Sequence, residues 1–152
     1  MAMSRLAASG DLERVGHGVY QLAAAPQDRF AALKAAWIAT NPVLTAEERL
    51  ARGVDVVVSG PTASWLLGIG TLQPEPYEFS ARGRRQAQRS GIRYRLRDLP
   101  AELITIRAGL PVTTLRQTIT DLANDDLDRS MLADVVADAS RLDPSLRGMS
   151  VL

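Results

Sequence analysis

The stretch LAASGDLERVGHGVYQL, residues 6–22, decides how the fold begins. Residues 11–15 and 19–22 are short runs with β-branched and aromatic side chains, and two glycines between them permit the positive φ angles of a tight turn. This pattern predicts a β-hairpin. Because an isolated hairpin is only marginally stable in water, we expect it to pack on a short helix over residues 3–9.

A short helix followed at once by a basic hairpin has the shape of the reader helix and wing of a winged helix-turn-helix. In such a unit the reader helix enters the major groove and the wing contacts the DNA beside it. In this interpretation Ser4, Arg5 and Ser9 lie on the reader helix. Arg14 lies beneath the hairpin turn and His17 lies at its tip. The same pattern is also typical of an ordinary hairpin at the edge of a sheet.

The composition is that of an ordinary globular chain. Its 152 residues are 46% hydrophobic and 23% charged, which suffices for one good core or two small lobes. Cysteine is absent, which excludes disulfides and thiolate chemistry. No apolar run approaches the ~20 residues of a membrane span, and the sequence start lacks the apolar core of a secretory signal. We therefore expect a soluble, cytoplasmic protein.

Charge is segregated along the chain, although the net charge is only +1. Between residues 77 and 107 eight arginines face three acidic residues, and from residue 116 onward seven aspartates face four arginines. Such segregation can steer a polyanion and a basic protein to different faces, although charge runs also occur on solvated surfaces. The basic region supplies a second candidate DNA-binding patch: Arg82, Arg84, Arg85 and Arg89. On the last helix, Asp134 and Asp138 are candidates for contact with a basic partner.

Hydrophobic periodicity and turn residues predict the order of the remaining elements. Asp28, Thr45 and Ser59 stand where helix N-caps are expected, and they begin helices predicted over residues 29–39, 46–52 and 60–67. Two later helices are predicted over residues 115–123 and 127–141. Runs of β-prone residues predict strands over residues 54–58, 77–81, 92–96, 103–107 and 110–113. Residues 143–152 are expected to form a loose end.

The fold class that follows is α+β. A partial winged helix, made of the reader helix and the wing hairpin, precedes a small mixed α/β domain with a mostly antiparallel sheet. We place the first domain at residues 1–25 and the second at residues 26–152. A complete winged helix needs two more helices before the reader helix, so we expect the DNA-binding half to be truncated.

Three strings resemble the AbiEi-like antitoxin family of bacterial type IV toxin-antitoxin systems. They are LERVGHGVYQL at residues 12–22, VVSGPTASWLLGI at 57–69 and GLPVTTLRQTITDLA at 109–123. The resemblance implies a winged helix that binds operator DNA and represses its own operon, followed by a C-terminal antitoxin domain. It also implies a nucleotidyltransferase-like toxin encoded in the same system, and a protein that is not itself a catalyst.

Two of the strings depart from the pattern of that family. Leu115 and Gln117 stand where the family has Pro and Arg, so Asp121 loses a guanidinium partner and becomes a candidate orphan carboxylate. Gly60 stands where a His is frequent, which leaves His17 as the single imidazole of the chain.

The residue inventory gives little support to enzymatic chemistry. One His and no Cys leave no imidazole pair for a metal and no Cys–His nucleophile. Ser59 lacks the Gly-x-Ser-x-Gly elbow of a hydrolase and is better explained as a helix cap. A metal-dependent nuclease would have to use Asp125, Asp126 and Asp128, whose place at the start of the last helix is explained by the helix dipole. We expect no catalysis, no metal and no cofactor.

Two functions therefore stay open. The first is a DNA-binding antitoxin that regulates the transcription of its own operon. Its few basic contacts make a small footprint, so specific binding would need a homodimer or a composite site. The alternative is a protein-interaction module that has lost DNA binding and docks on a nucleotidyltransferase-like toxin through its acidic last helix. A non-functional remnant would bind neither partner.

Overall fold

The computed structural model describes residues 12–14, 20–22, 28–83 and 91–149. Contacts within the chain divide it into two units, Met1–Ala51 and Arg52–Leu152. The domain boundary predicted at residue 25 lies in a segment outside the described residues and stays a prediction.

The first unit contains the hairpin that the sequence predicts. Strand β1 (Leu12–Arg14) pairs antiparallel with strand β2 (Tyr20–Leu22), and Arg14 lies opposite Tyr20 in the register. The prediction of two short strands around the glycine turn is confirmed. The helix predicted over residues 3–9 lies outside the described residues.

Helix α1 (Ala31–Ala39) begins two residues later than predicted, and Phe30, not Asp28, occupies its N-cap position. Asp28 Oδ1 accepts a hydrogen bond from the backbone N–H of Phe30 at 2.9 Å, and Oδ2 accepts one from Lys34 Nζ at 2.6 Å. The hydrogen bond from Lys34 lowers the pKa of Asp28 below its usual value, against the opposing effect of partial burial. Asp28 therefore stabilises the first turn as a carboxylate.

Helix α2 (Ala46–Ala51) begins with the predicted capping box. Thr45 Oγ1 accepts a hydrogen bond from the Glu48 N–H at 3.1 Å, and Glu48 Oε1 accepts one from the Thr45 N–H at 3.4 Å. Arg49 is buried, its guanidinium lies 3.7 Å from the ring centroid of Trp37, and Nη1 donates to the Trp37 carbonyl oxygen at 2.7 Å. This cation–π contact ties α2 to α1.

The second unit combines a five-stranded sheet with three helices. Its strands are β3 (Val56–Val58), β4 (Tyr77–Ala81), β5 (Ile92–Leu96), β6 (Ile104–Arg107) and β7 (Leu110–Thr113). Its helices are α3 (Gly60–Leu67), α4 (Leu115–Asn124) and α5 (Arg129–Leu142), with short 3-10 turns at Ala101–Leu103 and Pro144–Leu146. The α+β class is confirmed, and three of these strands have the predicted bounds.

The strands lie in the order β5-β4-β3-β7-β6. Strands β3 and β4, and likewise β6 and β7, pair antiparallel, whereas β3 with β7 and β4 with β5 pair parallel. The expectation of a mostly antiparallel sheet is therefore corrected, since this five-stranded sheet has two parallel and two antiparallel strand pairs. Parallel neighbours need a long crossover connection, and local sequence patterns do not reveal which strands such a connection brings together.

The turn between β6 and β7 is a tight two-residue hairpin. Arg107 pairs with Leu110, and the two residues between them have positive φ angles, 52° at Ala108 and 79° at Gly109. Two positive φ angles are the mark of a type I′ turn, whose twist matches that of the strands. Ala108 adopts this conformation without the freedom of a glycine.

The two faces of the sheet differ in chemistry. One face carries buried apolar side chains: Val56, Val58, Phe79, Ala81, Leu110 and Val112. Helix α4 lies on the other face, where Thr118 Oγ1 and Thr113 Oγ1 are 2.7 Å apart. The core on the helical side consists of Ile69, Leu72, Ile119, Leu122, Leu132, Val135, Ala139 and Leu146. Because Leu146 is buried there, the loose end predicted from residue 143 is corrected.

Candidate functional site

Polar side chains line the side of the sheet that faces the helices, a position in which apolar side chains are usual. Alternation along the strands places Glu78 and Ser80 of β4 on this side, together with their register partners Arg93 and Arg95 of β5. Glu78 and Ser80 are both buried. A buried carboxylate is costly unless it is paired and hydrogen-bonded, so its partners define the site.

Glu78 is held from two sides. Its Oε2 accepts a hydrogen bond from Ser59 Oγ at 3.1 Å and two from Arg95, from Nε at 3.2 Å and Nη2 at 3.1 Å. Ser80 Oγ in turn donates to Ser59 Oγ at 3.0 Å. Ser59 occupies the predicted N-cap position of α3, but its side chain makes no capping hydrogen bond. The interpretation of its hydroxyl as a cap is corrected, because Ser59 Oγ donates to Glu78 and accepts from Ser80 and does not accept from an N–H group of the helix.

Gly60 has a physical reason to be glycine. Its φ is +61°, and a Cβ built there would lie 2.6 Å from Glu78 Cδ. Any side chain at this position would therefore collide with the buried carboxylate. Glu78 thus lies against the first turn of α3, where a negative charge is favourable.

Arg95 lies between two carboxylates. Besides its bonds to Glu78, Nη1 donates to Asp125 Oδ1 at 3.3 Å and Nη2 donates to Asp125 Oδ2 at 2.6 Å. The hydrogen bond to Asp125 raises the pKa of Arg95 above its usual value, with the charges of Glu78, Asp125 and Asp121 adding to the effect and burial opposing it. The guanidinium is thus a permanent cation in a fixed orientation.

A second ion pair supports the same side of the sheet. Arg97 donates to both oxygens of Asp121, from Nη1 at 2.8 Å and from Nη2 at 2.6 Å, while Gln117 Nε2 donates to Oδ1 at 2.8 Å. The interpretation of Asp121 as an orphan carboxylate is therefore corrected. Arg97, the residue after β5, is the guanidinium partner of Asp121. Gln117 adds a further hydrogen bond from α4.

An open cleft of about 390 Å³ lies beside this network. Its charged lining comes from Glu78, Arg93, Arg95 and Asp125, and its apolar lining from Pro61, Tyr94, Leu122 and Leu127. Sequence reasoning counted Arg93 and Arg95 only within the basic region, and it did not single out Glu78 as a site residue. The alternating arginines of β5 and the residue after it, IRYRLR at residues 92–97, were the available signal, since a period of two puts them on one face.

The predicted DNA-binding residues fall mostly on segments that are not described. Arg14 ends β1, but its side chain is outside the described part, and so are Ser4, Arg5, Ser9, His17, Arg84, Arg85 and Arg89. Arg82 is described: its side chain is 59% exposed and its Nε lies 3.7 Å from Asp98 Oδ1. The structure therefore brings no two of these side chains together within the described residues.

The two predicted partner-binding aspartates have different surroundings on α5. Asp134 is exposed and has no bonded partner among the described residues. Asp138 Oδ2 accepts a hydrogen bond from the backbone N–H of Gly70 at 2.8 Å, and Oδ1 pairs with Arg141. Asp138 thus ties α5 to the segment after α3, so only part of its carboxylate faces solvent.

The acidic cluster before α5 has structural roles. Asp128 caps this helix through hydrogen bonds from the N–H groups of Ser130 at 3.0 Å and Met131 at 3.3 Å. Its side-chain hydrogen bond with Ser130 is the largest of the effects that lower the pKa of Asp128. Within the described ranges, no three His, Cys, Asp or Glu side chains lie close enough to hold a metal ion. None of the described helices has the length and apolar character needed to cross a membrane.

Comparison with known proteins identifies the second unit. The family model of the AbiEi antitoxin C-terminal domain matches residues 56–147, from the start of β3 to the end of the last 3-10 turn. No curated protein sequence matches the chain. The matched segment contains the whole sheet, the polar network and the cleft. Because this match covers more than half of the 152 residues, the chain belongs to the AbiEi family of antitoxins, which is not an enzyme family.

Proposed function

We propose that this antitoxin belongs to a type IV toxin-antitoxin system, binds operator DNA and represses its own operon. The observation that carries the proposal is the family match over residues 56–147, in a chain whose first unit contains an antiparallel hairpin. The hairpin supports the DNA-binding part, because a wing beside a reader helix is such a two-stranded ribbon. Operator binding would take place in the bacterial cytoplasm.

The proposed contacts divide into two groups. Ser4, Arg5 and Ser9 would enter the major groove on the reader helix, and Arg14 and His17 would contact DNA from the wing. A second patch with Arg82, Arg84, Arg85 and Arg89 would extend the footprint along the phosphates. The exposed side chain of Arg82 supports this assignment, because a pair as long and exposed as the one to Asp98 holds it only weakly. A footprint of this size favours binding as a homodimer.

The test is binding of the chain to the DNA upstream of its own gene, at two salt concentrations, against an unrelated duplex of equal length. We expect preferential binding that weakens as salt rises. Arg5→Ala and Arg14→Ala should each lower the affinity and reduce the salt slope by about 1. Arg129→Ala is the matched control, because Arg129 is exposed on α5 outside both patches, and it should leave affinity and slope unchanged.

Equal binding to both duplexes, or none, would contradict this proposal and favour the second candidate function. In that function the protein docks on a nucleotidyltransferase-like toxin through Asp134 and Asp138. The exposed carboxylate of Asp134 favours it, since it can meet a cation of a basic partner. Co-purification of the chain with a toxin encoded beside it, and the loss of that complex in Asp134→Ala, would be the expected results.

A further inference from the structure

The cleft beside the polar network has the dimensions of a small-molecule site. Its volume of about 390 Å³ falls within the range of about 300–1,000 Å³ that is usual for ligand pockets. Such pockets combine apolar walls with a few fixed polar groups that orient the ligand. The cleft has both, and the proposed DNA contacts of this antitoxin use neither.

The two carboxylates of the cleft are already occupied by Arg95. Glu78 accepts its Nε and Nη2, and Asp125 accepts its Nη1 and Nη2, so these four hydrogen bonds fix the plane of the guanidinium. A guanidinium has five N–H donors. One N–H of Nη1 is therefore left without an acceptor among the described residues.

Arg93 is the cation of the cleft that pairs with no carboxylate of the described residues. It lies opposite Glu78 in the register of β4 and β5 and on the same side of the sheet as Arg95. Nevertheless, Glu78 is taken by Arg95 and Ser59. Arg93 is exposed, lines the cleft, and makes no ion pair within the described ranges. Its planar fork of donors is suited to two-pronged binding of a carboxylate or phosphate.

Apolar side chains of the helical layer also line the cleft. Pro61 from the first turn of α3, Leu122 from α4 and Leu127 from the segment before α5 line it. These three side chains come from the helical layer, whereas Arg93 comes from the sheet. A ligand in the cleft would therefore meet both a cation and hydrocarbon.

We propose that this cleft is a binding site for a small organic oxyanion, in which a phosphate or carboxylate group is carried on an apolar body. Arg93 binds the oxyanion, with the remaining N–H of Arg95 beside it. Pro61 and Leu127, the half-buried apolar side chains of the lining, contact the apolar body. Glu78 and Asp125 do not contact the ligand; they hold Arg95 in position.

The test uses phenyl phosphate as the probe, with inorganic phosphate and phenol as its two halves, titrated into the full chain by calorimetry and NMR. We expect saturable binding of phenyl phosphate in the millimolar range and binding at least about tenfold weaker for either half. Arg93→Gln should weaken phenyl phosphate at least about tenfold. Arg107→Gln is the control, because Arg107 is an exposed arginine on β6, at the opposite edge of the sheet, and it should change nothing.

A second variant tests the apolar wall separately. Leu127→Ala should weaken phenyl phosphate while the weak affinity for inorganic phosphate stays the same. A circular dichroism spectrum identical to that of the wild type checks that each variant is folded. The proposal is overturned if phenyl phosphate does not saturate the wild type, or if Arg93→Gln and Arg107→Gln lower its affinity equally. DNA does not enter these measurements, so their failure is distinct from failure of operator binding.

Discussion

Arg97 and Asp121 join the end of β5 to the middle of α4 through two parallel hydrogen bonds of 2.8 and 2.6 Å. The Asp121 side chain is 4% exposed and that of Arg97 is 22% exposed. Loss of one partner from a buried pair leaves the other charge uncompensated. We expect Asp121→Asn to lower the free energy of unfolding by about 3 kcal/mol in urea melts. Asp98→Asn, at an exposed pair, should cost less than about 0.5 kcal/mol.

Gln117 offers a rescue experiment for the same pair. It lies one helical turn before Asp121 and already donates to its Oδ1. Arg97→Ala should destabilise the protein, and Gln117→Arg added to it should restore part of the loss, because a guanidinium at i−4 can reach the carboxylate. If Gln117→Arg has the same effect with and without Arg97, the two cations do not share Asp121.

Substitution of Gly60 should lower stability for two reasons, its positive φ angle and the collision of a new Cβ with Glu78. Gly60→Ala and Gly68→Ala both place a Cβ at positive φ, which costs about 1–2 kcal/mol. Only the first meets other atoms, namely the Glu78 carboxylate, since nothing lies within 4 Å at Gly68. We expect Gly60→Ala to lose at least about 1 kcal/mol more than Gly68→Ala in chemical denaturation. Equal losses would show that Glu78 moves aside without cost.

The β6–β7 turn predicts that two different substitutions of Ala108 change the stability of the protein in opposite directions. Ala108 has φ of 52° followed by Gly109, the conformation in which Asn-Gly is preferred. Ala108→Asn should therefore raise the free energy of unfolding by about 0.5–1 kcal/mol, and Ala108→Val should lower it, because β-branching disfavours positive φ. Thermal unfolding of the two variants against the wild type measures both. Changes of the same sign would contradict the assignment of the turn.

The pair of Asp28 and Lys34 predicts a pH-dependent effect. Because the pKa of Asp28 is lowered in the folded protein, its contribution is present above the unfolded pKa of about 4 and is lost as pH falls through the folded value. Asp28→Asn should cost less than about 1 kcal/mol at neutral pH, since the pair is partly exposed, and progressively less in acid. An NMR titration of the Asp28 carboxyl should show its midpoint rising in Lys34→Met. An unchanged midpoint would rule out the pair as the cause.

Substitutions of the two aspartates of α5, Asp134 and Asp138, should differ in their effects on the stability of the fold and on partner binding. Asp138→Ala removes the acceptor of the Gly70 N–H and should cost about 1 kcal/mol, whereas Asp134→Ala should stay within about 0.5 kcal/mol of the wild type. Urea melts of both variants test this. If docking on a toxin depends on this surface, Asp134→Ala weakens it without a change in stability. A large loss of stability in Asp134→Ala would show that this side chain has a structural role.

Local signals in the sequence predicted the elements well. The bounds of β4, β5 and β7 and the capping box at Thr45 all depend on residues within a few positions of each other. The same holds for the hairpin of β1 and β2. Strand periodicity and capping are short-range properties, so a single sequence contains them.

Relationships between distant residues could not be predicted in this way. The hydroxyl of Ser59 makes no capping hydrogen bond and donates instead to Glu78, which lies nineteen positions later in the sequence. The residue one turn before Asp121 in its own helix is Gln117 and not an arginine, but Arg97, twenty-four positions earlier, approaches from the end of β5. The cleft and both parallel strand pairings depend on tertiary packing of the same kind. The candidate site could therefore not be predicted, because only the fold brings its residues together.

The parallel pairing of Val58 with Val112 has a consequence for the folding of this antitoxin during its synthesis on the ribosome. Strand β3 lies at the centre of the sheet between β4 and β7, yet β7 is made long after it. Until residue 113 has emerged, the apolar segment 56–58 has an unpaired edge that can recruit another chain. Pairing so distant in sequence is slow to form. The central strand of this sheet therefore obtains its second neighbour only when β7 has been made.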